Sequence, residues 1–370
     1  MLTFPMNHAD WTFSSRQPYI PAMEFHYSTY RIRLKHTFTI ARSSHDFYDI
    51  VYVYLTKDGV TGVGEAVPMI RYGESFQHLL KLAMTFDMSD VDESGSLDDW
   101  LDQLLPKADG CRSFSMALDT AAHDLWGKLH GEPLYSRLGA TPAKTPLTSY
   151  TIGIDSIDVI RQKVAEADQY PILKVKLGTA DDRTIMDTIR DCTDKVMRVD
   201  ANEGWDLETA LKMCDWLATK NVEFVEQPLP ASDLEATARL KEKSPLKIIA
   251  DENCLDSRNI PEIADAFHGI NIKLMKCGGV REGLKMVKMA RELELEIMLG
   301  CMIESSVAIT AATHLSPLVD YADLDGHILI NNDPYQGALV EKGKLILPDG
   351  PGLGVTLRDH IAEPMEEAVA

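Results

Sequence analysis

Positive charge is scarce in this chain. Its 37 lysines and arginines face 57 aspartates and glutamates, a net charge of -20 over 370 residues. A nucleic-acid partner needs a basic footprint against the phosphates, and none is present. The surplus acid reads as a soluble surface. Long apolar runs are also missing. No stretch approaches the roughly 20 residues that cross a bilayer as a helix, so no membrane partner is expected. The six cysteines (Cys111, Cys192, Cys214, Cys254, Cys277, Cys301) form no CxxC or Cys/His spacing, which argues against zinc and against a disulfide framework. They read as small buried hydrophobes in a reducing compartment, with the cytoplasm as the default. No HExxH occurs among eleven histidines, and the glycines of GPGLGV (Gly350, Gly352, Gly354) precede no helix that would complete a phosphate cradle. Residues 1–22 lack the basic start and apolar core of a secretory signal. They are expected to be a disordered N-terminal extension, with the folded chain beginning near Met23.

What is present is a repeat. Short apolar runs end in a polar residue or glycine at Lys176, Asp200, Glu226, Asp251, Lys276, Gly300 and Asp325, at spacings of 24, 26, 25, 25, 24 and 25. An earlier run, LTSYTIGI (147–154), makes eight. Between them lie helical patterns. Leu207, Ala210, Leu211, Cys214, Leu217 and Ala218 recur at three- and four-residue steps, as do Leu284, Val287, Ala290 and Leu293. Buried runs alternating with amphipathic helices predict parallel strands with helical crossovers, and eight units close a (β/α)8-type barrel over residues 146–333. A doubly wound open sheet is the competitor; it usually has fewer strands and a glycine-rich first loop, where this chain has TIGID.

Residues 23–145 read differently. FHYSTYRIRL and YDIVYVYLTKDGVTGVGEA predict antiparallel strands with a hairpin turn at Asp58-Gly59. Helices are expected near Ser75–Met84, Leu97–Leu104 and Ser113–His130. This is an α+β capping domain, and the tail 334–370 is expected to rejoin it.

Barrel strands are buried, so ionisable residues at their C-terminal ends need a reason, and in this fold active sites are built there. Asp200, Glu226 and Asp251 come from three neighbouring strands. Three unpaired carboxylates in one cleft repel each other, and a divalent cation is the simplest relief. Magnesium fits this pattern, as calcium or manganese would. Lys174 and Lys176, two apart on a strand, point to one face. Side by side and desolvated, their amines are expected to depress each other's pKa toward the range of a general base. Lys276 lies four strands on, across the ring. An amine on each side of a substrate can take a proton from one face of a carbon and return it to the other. The cation would stabilise the enediolate formed when a carboxylate loses its α-proton. Asn202, two beyond Asp200, can hydrogen-bond within the same site.

KVK (174–176), VDAN (199–202), EQP (226–228), ADEN (250–253), IKLMKCGG (272–279) and ALDTAAHDLWGKLHGEPLYSRLG (117–139) resemble, in order and spacing, the motifs of the enolase superfamily in its muconate-lactonizing subgroup. The match covers nearly the whole chain from about residue 24. The resemblance implies Asp200, Glu226 and Asp251 as magnesium ligands, Lys176 and Lys276 as the acid/base pair, and Lys174 as an electrostatic and substrate-binding helper. Asp323-Leu324-Asp325 resembles the Asp-x-Asp motif of the subgroup's dipeptide epimerases, where it binds a substrate ammonium. GCMIESS (300–306) is similar too, which implies Met302 and Glu304 near the substrate. Arg42, in IARSSHDFYD, falls where the cap is expected to close over the barrel and could meet a substrate anion. The activity implied is epimerisation of the C-terminal residue of a dipeptide by two lysines, in a homo-oligomer. The alternatives are N-acylamino acid racemisation, succinylbenzoate formation or muconate cycloisomerisation within the subgroup, or a binding barrel without catalysis.

Overall fold

The computed structural model describes residues 23–359 and 366–367; the expected extension, 1–22, lies outside the described residues. Strands β1 (Glu24–Ile40), β2 (Ser43–Lys57) and β3 (Val60–Ala66) form an antiparallel sheet, and Glu366–Glu367 adds to its β1 edge. The β2–β3 turn is tight because Asp58 and Gly59 both take positive φ, 53° and 76°, as a two-residue hairpin turn requires. The apolar run in β2 is buried on both faces. Val51, Val53 and Leu55 pack on the cap helices α1 (Phe76–Met84), α2 (Leu97–Leu104) and α3 (Arg112–His130), whereas Ile50 and Tyr52 join the core that runs through the barrel. Helix α3 lies close on β3 because two β3 residues are glycines. A Cβ at Gly64 would come 1.9 Å from the Ala117 carbonyl oxygen, and one at Gly62 2.2 Å from that of Ala121.

Eight parallel strands follow in sequential order: β4 (Tyr150–Ile152), β5 (Ile172–Lys176), β6 (Val196–Asp200), β7 (Val222–Glu226), β8 (Lys247–Ala250), β9 (Gly269–Lys273), β10 (Glu296–Gly300) and β11 (Tyr321–Asp323). A parallel bridge between Thr148 and Ala322 joins the last strand to the first and closes the ring. The barrel floor is apolar and aromatic: Phe224, Ile249 and Met298 cluster with Tyr321, and the buried Arg198 guanidinium stacks over Phe224 and Tyr321. Helix Leu207–Leu217 buries Ala210, Cys214 and Leu217 as its periodicity predicts, and begins at Asp206, whose side chain accepts from Thr209 N. Helix Val280–Glu292 instead buries Val280, Gly283, Met286, Val287 and Ala290, and ends before Leu293, which is exposed.

One strand end and the tail differ from the sequence expectation. The INIKLMK run leaves the sheet at Lys273, and Leu274–Cys277 form one helical turn stopped by Gly278 at φ 92°. Lys276 is therefore not a strand residue. The tail divides as well. Leu353 N donates to Asp124 Oδ1 and the Gly352 carbonyl accepts from Leu134 N, both in the cap, but the hairpin Leu339–Glu341/Lys344–Ile346 sits on the barrel, with Thr148 N donating to the Gly343 carbonyl.

Two buried acids from the cap plug barrel helices at the mouth. Glu65 accepts from Ser305 N, Ser305 Oγ and Ala308 N at the start of helix Ser306–Leu315. Asp119 accepts from Val280 N at the start of helix Val280–Glu292. Unsatisfied N–H groups and the positive end of the helix dipole favour a carboxylate at both places.

Candidate active site

Register carries the charged residues to one level. Lys176 pairs with Asp200 and Asp200 with Glu226 on neighbouring strands; across the ring Lys273, Gly300 and Asp323 stand in line. Asp251 follows the last residue of β8. Since side chains alternate along a strand, inward residues sit two before these as well, among them Lys174 and Asn271.

The structure brings Asp200, Glu226 and Asp251 together, with one oxygen from each within 4.8 Å of the others. All three are buried. Asp200 Oδ1 accepts from Asn202 N (2.9 Å) and Oδ2 from Lys176 Nζ (2.6 Å). Glu226 Oε1 accepts from Asn271 Nδ2 (2.7 Å). Its Oε2 lies 2.6 Å from Lys174 Nζ but off the direction of a hydrogen bond, which leaves that buried oxygen without a donor. Asp251 Oδ2 accepts from Lys273 Nζ (2.9 Å) and Oδ1 from Lys276 Nζ. Burial pushes the Glu226 carboxyl up, and the Asp200 charge adds to it. For Asp251 burial acts the same way, but Lys273 and Lys276 outweigh it and hold the acid well below its ordinary range. Clustered hard oxygens with a spare buried acceptor suit a divalent cation.

The lysines depart from expectation in two respects. Lys174 does not titrate low, and Lys276 shares its direction. Burial lowers each, yet the facing carboxylates raise both above the ordinary lysine value; Asp323 and Glu226 do this for Lys174, and Asp251 for Lys276. Acids outnumber amines around them, so attraction outweighs mutual repulsion. Second, Lys276 does not reach the cavity at the mouth. Its ammonium donates to the carbonyls of Asp251 (2.7 Å), Cys254 (3.0 Å) and Asn271 (3.3 Å), which ties the ends of β8 and β9 together. Lys273 lines the cavity in its place.

That cavity, about 180 Å³, has Lys176, Asn202, Asp251, Lys273, Asp323 and Asp325 on its polar side. Its apolar walls come from the cap (Phe38, Ile40, Tyr48, Val67, Met69, Ile70, Tyr72) and from Met302 and Ile303. Asp323 accepts from Ser149 Oγ and from Lys174 Nζ (both 2.6 Å), and Asp325 from Thr151 N (2.6 Å). Burial would raise both acids. Lys174 overrides it for Asp323, held at about 2, whereas Asp325, facing the Asp323 charge, is pushed up to about 7.

Three other expected substrate contacts sit differently. Lys174 lies beneath the cavity floor, bridging Glu226 and Asp323. Arg42 reaches the mouth from the β1–β2 turn, but its guanidinium is committed to Glu252 Oε1 (2.6 Å) and the Asn202 carbonyl (3.1 Å), so it fastens the cap hairpin to the barrel. Glu304 is buried behind the wall, accepting from Met302 N (2.9 Å). The sequence reading missed Lys273, three residues before the lysine it chose, and Asn271, Glu252 and Thr151, whose parts depend on contacts between strands.

Comparison with known proteins agrees with this architecture. The mandelate racemase/muconate lactonizing enzyme N-terminal domain model matches residues 26–139, and the enolase C-terminal domain-like model matches 158–361. An L-Ala-D/L-Glu epimerase of Bacteroides thetaiotaomicron is 42% identical, covering 90% of this chain and 88% of that protein. An L-Ala-D/L-amino acid epimerase of Pedosphaera parvula is 40% identical over 88% of this chain and 97% of its own length. Among solved structures, a dipeptide epimerase from Enterococcus faecalis complexed with Mg and L-Leu-L-Tyr superposes with a TM-score of 0.81 at 30% identity, covering 91% of this chain and 100% of that one. The chain belongs to the mandelate racemase/muconate lactonizing enzyme family of the enolase superfamily.

Proposed function

We propose that this chain is a magnesium-dependent dipeptide epimerase that inverts the α-carbon of the substrate's C-terminal residue. The observation that carries the reading is one cavity holding two lysines from opposite strands and a buried aspartate pair. Asp323 and Asp325 are two residues apart, and an ammonium between them would relieve the repulsion that adds to burial in raising Asp325. An N-acylated amino acid offers no cation there, and a muconate would be repelled. The relatives and solved neighbours named above support the same substrate class.

Asp200, Glu226 and Asp251 would hold the cation. Once bound, it would draw charge from the carboxylates that now hold the amines and offset the negative charge a substrate carboxylate gains as its α-proton leaves. Strands β5 and β9 are four apart in a ring of eight, so Lys176 and Lys273 approach the α-carbon from opposite sides. The neutral amine on one side takes the α-proton at Nζ, and the ammonium opposite delivers one to the other face. Lys276 acts from below by fixing Asp251. Six free cysteines support the cytoplasm as the compartment.

A dipeptide library incubated with the protein and magnesium in deuterium oxide should gain α-deuterium at the C-terminal residue. Exchange confined to N-succinylamino acids would overturn the substrate class.

A further inference from the structure

The three clustered carboxylates share a pattern. Each has one oxygen held by a fixed donor: Asp200 Oδ1 by Asn202 N, Glu226 Oε1 by Asn271 Nδ2, and Asp251 Oδ1 by Lys276 Nζ. Each turns its other oxygen to a different lysine, Lys176, Lys174 or Lys273. A carboxylate held this way has a single oxygen to give a cation. Magnesium takes six oxygens at about 2.0–2.1 Å and binds few carboxylates, with water and substrate completing an octahedron; calcium takes six to eight at about 2.3–2.6 Å and often uses both oxygens of a carboxylate.

Of the three donors, Asn271 is the most separable. The Asn202 donor is main chain, and Lys276 also ties three carbonyls. Asn271 is fully buried, and its Oδ1 has no hydrogen-bond partner. A buried acceptor left without a donor is unfavourable. Turning the amide would cost more, because a carboxylate accepts and cannot donate, and would face the amide oxygen. Room for this pose comes from Gly300 on the next strand, where a Cβ would lie 2.6 Å from Asn271 Oδ1 and 2.8 Å from Nδ2.

We propose that Asn271 is a positioning residue that restricts Glu226 to single-oxygen ligation and so sets a preference for a small octahedral cation over calcium. The inference rests on Asp200, Glu226 and Asp251 being the cation ligands. Asn271→Leu removes the donor, and Gly300→Ala displaces the amide without touching its chemistry.

The test is binding of Mn2+ to the full-length protein without substrate, followed by electron paramagnetic resonance, with Mg2+ and Ca2+ as competitors. In the parent, Mg2+ should displace Mn2+ at lower concentration than Ca2+. In both variants the ratio of Ca2+ to Mg2+ dissociation constants should fall about tenfold or more, the size of effect that groups orienting a metal ligand commonly have. A ratio unchanged within about twofold in a variant that still binds both ions overturns the proposal. Should Asn271→Leu fail to fold, Gly300→Ala decides alone, and Asn271→Ser offers a milder loss of the donor. A Glu226→Gln protein binding Mn2+ as tightly as the parent would instead remove the ligand assignment itself, and the proposal with it.

Discussion

Lys273 and Lys276 both touch Asp251, and substitution separates their parts. Lys273→Ala removes an amine that faces the cavity and makes one hydrogen bond, to Asp251 Oδ2. Loss of a general acid/base typically costs 10²- to 10⁴-fold. Inversion needs both amines, so epimerisation should fall by that much or more. Exchange needs one, so the diastereomer whose α-proton faces Lys176 should still take up deuterium without inverting. Lys276→Met strips the donor from three main-chain carbonyls and from Asp251 Oδ1. Each buried acceptor left unpaired costs about 1–3 kcal/mol, and breaking a buried ion pair about 3–5 kcal/mol. These losses overlap, so a destabilisation of about 3–5 kcal/mol is expected. Exchange of the two diastereomers should then fall together. The assay is proton NMR of each diastereomer in deuterium oxide, beside a urea unfolding curve. The reasoning fails if Lys273→Ala inverts substrate at the parent rate. It fails equally if Lys276→Met keeps the parent's unfolding midpoint yet exchanges one diastereomer only.

Two pH dependences follow from buried groups. Asp325, pushed up to about 7 by burial and then by Asp323, carries charge only above that pH. KM for a dipeptide should fall by up to about tenfold per unit as pH rises toward 7 and level off above; Asp325→Asn should bind weakly at every pH, and an equal slope in that variant would remove Asp325 from ammonium binding. His314 is held neutral, lowered from 6.5 to about 4 by burial. Its Nδ1 accepts from Tyr135 N, so Nε2 carries the proton given to the Leu353 carbonyl. A depressed histidine contributes stability that is whole above about 6.5 and lost as pH falls through 4, in all about 3 kcal/mol. Urea midpoints measured between pH 7 and 4 should therefore drop more steeply for the parent than for His314→Asn, and parallel curves would refute the assignment.

The barrel was legible because its strands end in polar residues at a nearly constant spacing, and the three carboxylates stand at such ends. The aspartate pair was legible through resemblance. In the sequence Lys276 stands out in place of the cavity-lining Lys273 because Ile272, Leu274 and Met275 prolong the apolar run past the true strand end. A signal was available: Gly278 and Gly279 follow directly, as they do after a helical turn, and that turn takes Leu274–Cys277 off the strand. The raised Lys174 escapes a count of neighbouring amines because that count ignores the acids that other strands bring to it. Arg42 meeting Glu252, and Asn271 meeting Glu226, join residues 210 and 45 positions apart. No local pattern encodes such pairings.

Strand β2 has its alternate side chains in two different interiors, the cap's own and the one continuous with the barrel. A slip of one residue would exchange Val51 and Val53 for Ile50 and Tyr52, so both interiors would be spoiled at once. Severing the chain between the two parts would lay bare apolar surface on each, so a single calorimetric transition is expected for the intact protein.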